Sequence, residues 1–194
     1  MSVLWILGEA KSGKSELAEE IFHRLPGRKL YIGTLPKTPE NAEQIRKHAE
    51  RRPQDWELVE ITDDLSVATC AIENLRAEGA AVLLDGFGVY VGERSQRWER
   101  EHPGLTLEAE APFVDAICRA YAALADRCGY LIVVDHVLAD PPTAADHAMD
   151  PARWRLREVV SRCRADADHV IYHDRTDVTH TDTGFVQGIA ELLI

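Results

Sequence analysis

Val3-Leu4-Trp5-Ile6-Leu7-Gly8-Glu9-Ala10-Lys11-Ser12-Gly13-Lys14-Ser15, close to the amino end, decides the fold. An apolar run of strand length ends at Gly8, and Gly13-Lys14-Ser15 follows four residues later. Leu17, Ala18, Ile21, Phe22 and Leu25 then recur at the spacing of one helical face. The pattern G-x-x-x-x-G-K-S, with a strand before it and a helix after it, is that of a phosphate loop. Glycines let the backbone wrap an anion, while loop amides and the helix N-terminus turn positive partial charge toward it. Gly8, Glu9, Ala10, Lys11, Ser12, Gly13, Lys14 and Ser15 are therefore the candidate triphosphate cradle. Lys14 would bridge the outer phosphates, and the Ser15 hydroxyl would hold a magnesium ion.

Working outward, strand and helix signals alternate along the chain. Strands are expected at Lys29–Thr34, Trp56–Glu60, Ala80–Asp85, Tyr130–Asp135 and His169–His173. Ala80–Asp85 and Tyr130–Asp135 are continuous apolar runs ending in a carboxylate, the composition of buried parallel strands. Helices are expected at about Glu40–Arg51, Leu65–Ala77, Leu107–Arg127, Ala152–Ala167 and Phe185–Leu193. Gly86–Gly104 reads as an irregular charged excursion, and Ala139–Pro151 as a Pro-rich loop. Such alternation predicts an α/β fold, a doubly wound, mostly parallel sheet in a single domain spanning 1–194. Ligands of such sheets sit beyond the carboxyl ends of the strands, where Gly8, Thr34, Asp85 and Asp135 all fall.

Bulk properties narrow the class. The 194 residues are 45% hydrophobic and 28% charged, an ordinary globular composition. A net charge of −11 without a long basic run argues against a nucleic-acid partner. No apolar run approaches membrane-spanning length, and the first strand has the wrong length and flanks for a signal peptide. Cys70, Cys118, Cys128 and Cys163 lack C-x-x-C spacing, so the expectation is reduced thiols in the cytoplasm rather than a metal or disulfide framework.

Asp85 ends the strand expected to partner the phosphate loop. It reads as a magnesium- or nucleotide-facing carboxylate beside Ser15, with a helix cap or turn as the competing role.

The segment around His48 carries a more specific signal. Tyr31-Ile32-Gly33-Thr34, Glu40, Ile45-x-x-His48, Arg52-Pro53-x-x-Trp56 and Glu60 follow the phosphate loop in order. This succession resembles the bifunctional adenosylcobinamide kinase / adenosylcobinamide-phosphate guanylyltransferase family, closely over about the first 60 residues and more loosely to Asp85. The resemblance implies that His48 attacks the α-phosphorus of GTP, expels pyrophosphate and passes GMP to a phosphorylated acceptor. Imidazole suits this, being nucleophilic near neutral pH and a good leaving group once bonded to phosphorus. The resemblance also implies phosphorylation of an acceptor hydroxyl from ATP or GTP, using Lys14 and Mg2+. By position in the pattern, Gly33, Thr34, Leu35, Ala49, Glu50, Arg51, Arg52, Glu60 and Asp85 would line the nucleotide. Arg51 and Arg52 would neutralise phosphate or cover a solvated helix end, and Glu60 would accept from guanine. A small-molecule acceptor and a homo-oligomer are implied likewise, and the pathway would be cobalamin biosynthesis.

The family's strand-end segments read Leu84-Asp85-Gly86-Phe87-Gly88 and Asp135-His136-Val137-Leu138 here, and Gln44 stands where the family has Arg. The sequence is thus that of a divergent member with an altered acceptor side. A kinase or nucleotidyltransferase acting on another acceptor, and a nucleotide-binding regulator, are the competing readings. Asp135-His136 reads either as an acid/base pair or as a capped strand end. Arg153, Arg155 and Arg157 read as a solvated helix face, Trp5 and Trp56 as packing residues. His147, His169, His173 and His180 lack zinc-ligand spacing.

Overall fold

The computed structural model describes residues 1–61, 64–74, 79–136, 141–173 and 183–194. Residues 75–77 of the expected third helix, 139–140 of the expected loop, Val137 and Leu138 of the strand-end segment, and His180 lie outside the described residues.

Six parallel strands form one sheet in the order β3-β2-β4-β5-β1-β6. They are β1 (Ser2–Gly8), β2 (Lys29–Gly33), β3 (Glu57–Glu60), β4 (Ala81–Asp85), β5 (Tyr130–His136) and β6 (His169–Tyr172). The central strands are the apolar runs read from the sequence, and a strand buried on both faces requires that composition. The edge strands β3 and β6 have four residues each and are largely exposed.

Alternation along each strand sends side chains into two separate cores. One face meets α1 (Lys14–Arg24) and α8 (Thr183–Leu193), with Leu4, Ile6, Leu83 and Ile132 against Leu17, Ile21, Phe22 and Ile189. The other face meets α3 (Ser66–Asn74), α4 (Phe87–Glu101), α5 (Ala111–Ala125) and α7 (Pro151–Arg164). Trp5 anchors this second core, its indole donating to the Tyr121 hydroxyl at 3.1 Å and its ring meeting Phe87 edge-on. Trp56 packs edge-on against Phe22, so both tryptophans are packing residues. α2 (Ala42–Arg51) lies between β2 and β3 in the chain. The doubly wound α/β architecture expected from the sequence is therefore observed.

Three local expectations are corrected. Gly86–Gly104 is not irregular, since Phe87–Glu101 forms the 15-residue helix α4. Phe87, Tyr90, Val91 and Ser95 are its buried face, at helical spacing that Gly88, Gly92 and the outward charges obscure. Within the Pro-rich section, α6 (Ala144–Met149) forms because the Thr143 hydroxyl accepts the Asp146 amide while the Asp146 carboxylate accepts the Thr143 amide. The long helix expected from Leu107 is a short 3₁₀ turn, Leu107–Glu110, followed by α5, whose start Pro112 marks.

A fourth correction concerns Arg155. Arg155 is not part of a solvated face, because its exposure is 0%. Its guanidinium meets Glu110 and Glu99 at 2.6 Å each and donates to the Ser95 carbonyl at 3.0 Å. His147 also faces Glu110, at 3.3 Å. This ionic cluster ties α7 to α4 and to the turn before α5. Arg155→Ala would strip the buried Glu110 carboxylate of its guanidinium, so urea unfolding should show a loss of about 3–5 kcal/mol. The apolar replacement of both groups, Arg155→Met with Glu110→Leu, should recover most of that loss.

Candidate functional site

The carboxyl ends of β1, β2, β4 and β5 open into a cleft of about 710 Å³. The phosphate loop forms its floor. Lys11 and Gly13 take positive φ values of 62° and 90°, winding the loop into a compact anion nest. A Cβ at Gly8 would strike the His173 carbonyl and the Ser12 hydroxyl, so the close packing under the loop requires glycine there. The Ser12 Oγ is buried without a hydrogen-bond partner, a group suited to an oxyanion in the nest. Lys14 is only 9% exposed, and its Nζ donates to the Glu9 carbonyl at 3.0 Å. Burial lowers the Lys14 pKa, while Asp85 and Asp135 oppose that shift.

Asp85 joins three elements. Its Oδ1 accepts the Ser15 hydroxyl of α1 at 3.1 Å, and its Oδ2 accepts the Tyr31 hydroxyl of β2 at 2.6 Å. Its backbone carbonyl takes the Thr34 hydroxyl at 3.0 Å, which also reaches the Gly86 carbonyl at 2.6 Å. The Tyr31 hydroxyl is accordingly held protonated, by burial first and by the Asp85 charge second. Ser15 and Asp85 together offer a hydroxyl and a carboxylate, hard oxygen donors of the kind magnesium takes.

His48 enters the cleft from α2. Ile45, His48 and Arg52 follow one another at spacings of three and four and all line it. The His48 Nδ1 lies 3.3 Å from Glu19 Oε1 and 3.8 Å from Asp85 Oδ2. Arg52 stands over the Tyr31 ring with its guanidinium carbon 3.4 Å from the centroid, and its Nε is 4.0 Å from the same Glu19 oxygen. Two carboxylates thus face the Nδ1 side of the imidazole.

The remaining residues singled out in the sequence divide. Ala10, Lys11, Ser12, Gly13, Gly33, Thr34, Leu35 and Glu60 line the cleft with Lys14, Ser15, His48, Arg52 and Asp85. Glu60 forms an ion pair with Lys37. Gly8 and Glu9 act from beneath, through packing and a carbonyl. Ala49 and Glu50 are exposed on α2 and outside the cleft lining, Glu50 pairing with Arg46 at 2.6 Å. The Arg51 side chain lies outside the described residues.

Sequence reading missed Glu19, although it stands four residues after Ser15 on α1 and so shares that helix face. It also left open Asp135, which lines the cleft at 1% exposure. Its Oδ1 accepts the His136 amide at 2.7 Å, and the Gly88 amide approaches so closely that a Cβ there would strike the carboxylate. Burial raises the Asp135 carboxyl to about 7 despite those amides and the Lys14 charge.

Fold and site together define a P-loop nucleotide-binding protein of the α/β class. Among solved structures, the chain resembles the assembled ATPase EscN from the type III secretion system of enteropathogenic E. coli, with a TM-score of 0.58 and 13% identity over 90% of this chain and 43% of that one. A prototypical ATPase from the type III secretion system of pathogenic bacteria matches with a TM-score of 0.54, 13% identity, 87% of this chain and 50% of that one. The chain spans half or less of these proteins, and at this identity the likeness concerns the fold alone. No curated protein matches the chain. A family model, cobinamide kinase / cobinamide phosphate guanyltransferase, matches residues 4–140, and the chain belongs to that family.

The buried Asp135 yields a pH prediction. With its pKa raised from 3.8 to about 7, the native chain keeps a proton that the unfolded chain releases. The associated stability is fully present below the unfolded pKa and is lost as pH rises to about 7, roughly 4 kcal/mol across the window. Asp135→Asn should flatten this dependence when urea unfolding is followed against pH.

Proposed function

We propose that the protein is a nucleotide-dependent transferase that carries out two transfers at one cleft. It phosphorylates a hydroxyl of a small-molecule acceptor of the cobinamide class from ATP or GTP. It also moves GMP from GTP to the phosphorylated acceptor through a covalent guanylyl adduct on His48. The observation that carries the reading is the position of His48, whose imidazole is 3.8 Å from the carboxylate that binds the Ser15 hydroxyl of the phosphate loop. Family membership supports the same pair of activities.

In the guanylyl step the Nε2 lone pair of neutral His48 attacks the α-phosphorus. The bond to the bridging oxygen breaks and pyrophosphate leaves. The imidazole becomes positively charged, and Glu19 and Asp85 beside Nδ1 stabilise that charge. An oxygen of the acceptor phosphate then attacks the same phosphorus, the P–N bond breaks, and the imidazole returns to its neutral form. In the kinase step Lys14 and the loop position and neutralise the outer phosphates while the acceptor hydroxyl attacks the γ-phosphorus, the bond to the β,γ-bridging oxygen breaks, the nucleoside diphosphate leaves and the hydroxyl proton passes to solvent. Ser15 and Asp85 would hold Mg2+, which supplies charge neutralisation at the phosphates.

Incubation with GTP labelled at the α-phosphate should give acid-labile label on the denatured protein. His48→Ala should abolish that label and leave γ-phosphate transfer within about tenfold, since the imidazole is the nucleophile of one step only. Lys14→Ala should lower both transfers by about 10²–10³. Wild-type protein that transfers γ-phosphate but takes no label would overturn the covalent step and leave a kinase.

A further inference from the structure

A second cleft, of about 630 Å³, opens at the amino end of β1, at the edge of the sheet opposite the phosphate loop. Met1 and Val3 line it together with the facing sides of α5 and α7. Two cysteines meet there. Cys118 on α5 is half-buried in the cleft wall, Cys163 on α7 is buried behind it, and their sulfurs are 3.9 Å apart. That separation is van der Waals contact between thiols borne on two helices packed in one core.

The surroundings give the two sulfurs different chemistry. The Cys163 thiol donates to the Cys118 sulfur, and this lowers the Cys118 pKa, with the Arg162 guanidinium adding to the effect against burial. The same hydrogen bond and burial raise the Cys163 thiol far above the ordinary range. Asp115 holds the Arg162 guanidinium at 2.9 Å beside the pair. The other two cysteines have no such neighbour, since Cys128 donates to the Leu124 carbonyl and Cys70 is exposed on α3.

We infer that Cys118 and Cys163 form a redox-active dithiol site, reached through this cleft, that takes a low-molecular-weight disulfide as its oxidant. The Cys118 thiolate attacks one sulfur of the small disulfide, whose S–S bond breaks and releases one thiolate. The Cys163 thiol then loses its proton to solvent and attacks the Cys118 sulfur. The second small thiolate leaves, and the Cys118–Cys163 bond closes. The protein gives up two electrons, the oxidant becomes two thiols, and α5 is covalently joined to α7 across 45 positions of sequence.

Oxidised glutathione tests this on the folded full-length chain, with peptides mapped by mass spectrometry so that the exposed Cys70 is scored separately. The expected product is a peptide pair linked through Cys118 and Cys163, reversible by dithiothreitol, with a melting temperature that rises on oxidation. Cys163→Ser should stop the reaction at a glutathionyl adduct on Cys118. Cys118→Ser should leave Cys163 unmodified while its α-phosphate labelling stays at the wild-type level. Modification of Cys70 with no Cys118–Cys163 link in the wild-type protein would overturn the inference, as would a glutathionyl adduct on Cys163 in the Cys118→Ser protein. The wild-type peptide map decides the matter even where a variant folds poorly.

Discussion

One carboxylate holds the cleft together. Asp85 closes β4, takes a hydroxyl from α1 through Ser15 and another from β2 through Tyr31, and faces the imidazole from α2. Each of those contacts belongs to a different stretch of the chain, so Asp85, together with Glu19 of α1, places the phosphate loop and His48 relative to one another. Both Asp85 oxygens accept a hydroxyl, so the carboxylate's hydrogen-bonding capacity is used within the cleft. The Tyr31 ring serves the arrangement twice. Its hydroxyl orients Asp85, and its face carries the Arg52 guanidinium, which balances the added negative charge of Glu19.

Charge explains why a chain of net charge −11 still suits a polyanion. Long-range steering favours cations at such a surface, so attraction for a triphosphate has to be local. The loop supplies it through a nest of positive-φ residues and a lysine whose ammonium is buried and fixed by the Glu9 carbonyl. Asp85, Asp135, Glu9 and Glu16 raise the Lys14 pKa against the effect of burial, which keeps the cation available in a dry setting.

Much of this was legible in the residues, and the limits have physical causes. The central strands could be read because buried parallel strands must be continuously apolar, the edge strand β3 from its period-two alternation, and the phosphate loop because its geometry demands glycine, lysine and a hydroxyl at fixed spacing. Helix α4 escaped because Gly88 and Gly92 resemble turn residues. Gly88 is set by contact with Asp135, and nothing local to its own stretch reveals that tertiary constraint. Arg155 escaped for a similar reason. Alternate arginines on a helix normally face water, and only the arrival of Glu110 and Glu99 from distant positions makes burial of one tolerable. Glu19 becomes a site residue only when α2 brings His48 to it, and Asp135, open in the sequence between an acid/base pair and a capped strand end, enters the cleft through the position of β5.

The strand register explains why the cleft has two unlike walls. In the parallel ladder Gly8 pairs with His136, Gly33 with both Asp85 and Glu60, and Asp85 with Val134, so the strand ends form one continuous rim. The chain crosses that rim from both sides. From the β2 side, α2 brings Ile45, His48 and Arg52 over Asp85, a wall of nucleophile and countercharge. From the β5 side come Asp135 and His136, where burial raises the carboxyl to about 7 and lowers the His136 pKa, so the charged form of each is disfavoured on this wall. A charged wall suits a phosphate undergoing substitution, and a less charged one suits the organic part of a bound molecule. The family's departures in this chain fall on both walls, with Gln44 on α2 and the Leu84–Gly88 strand end at the first and the Asp135-His136 strand end at the second, whereas Lys14, Ser15 and His48 keep the family's pattern.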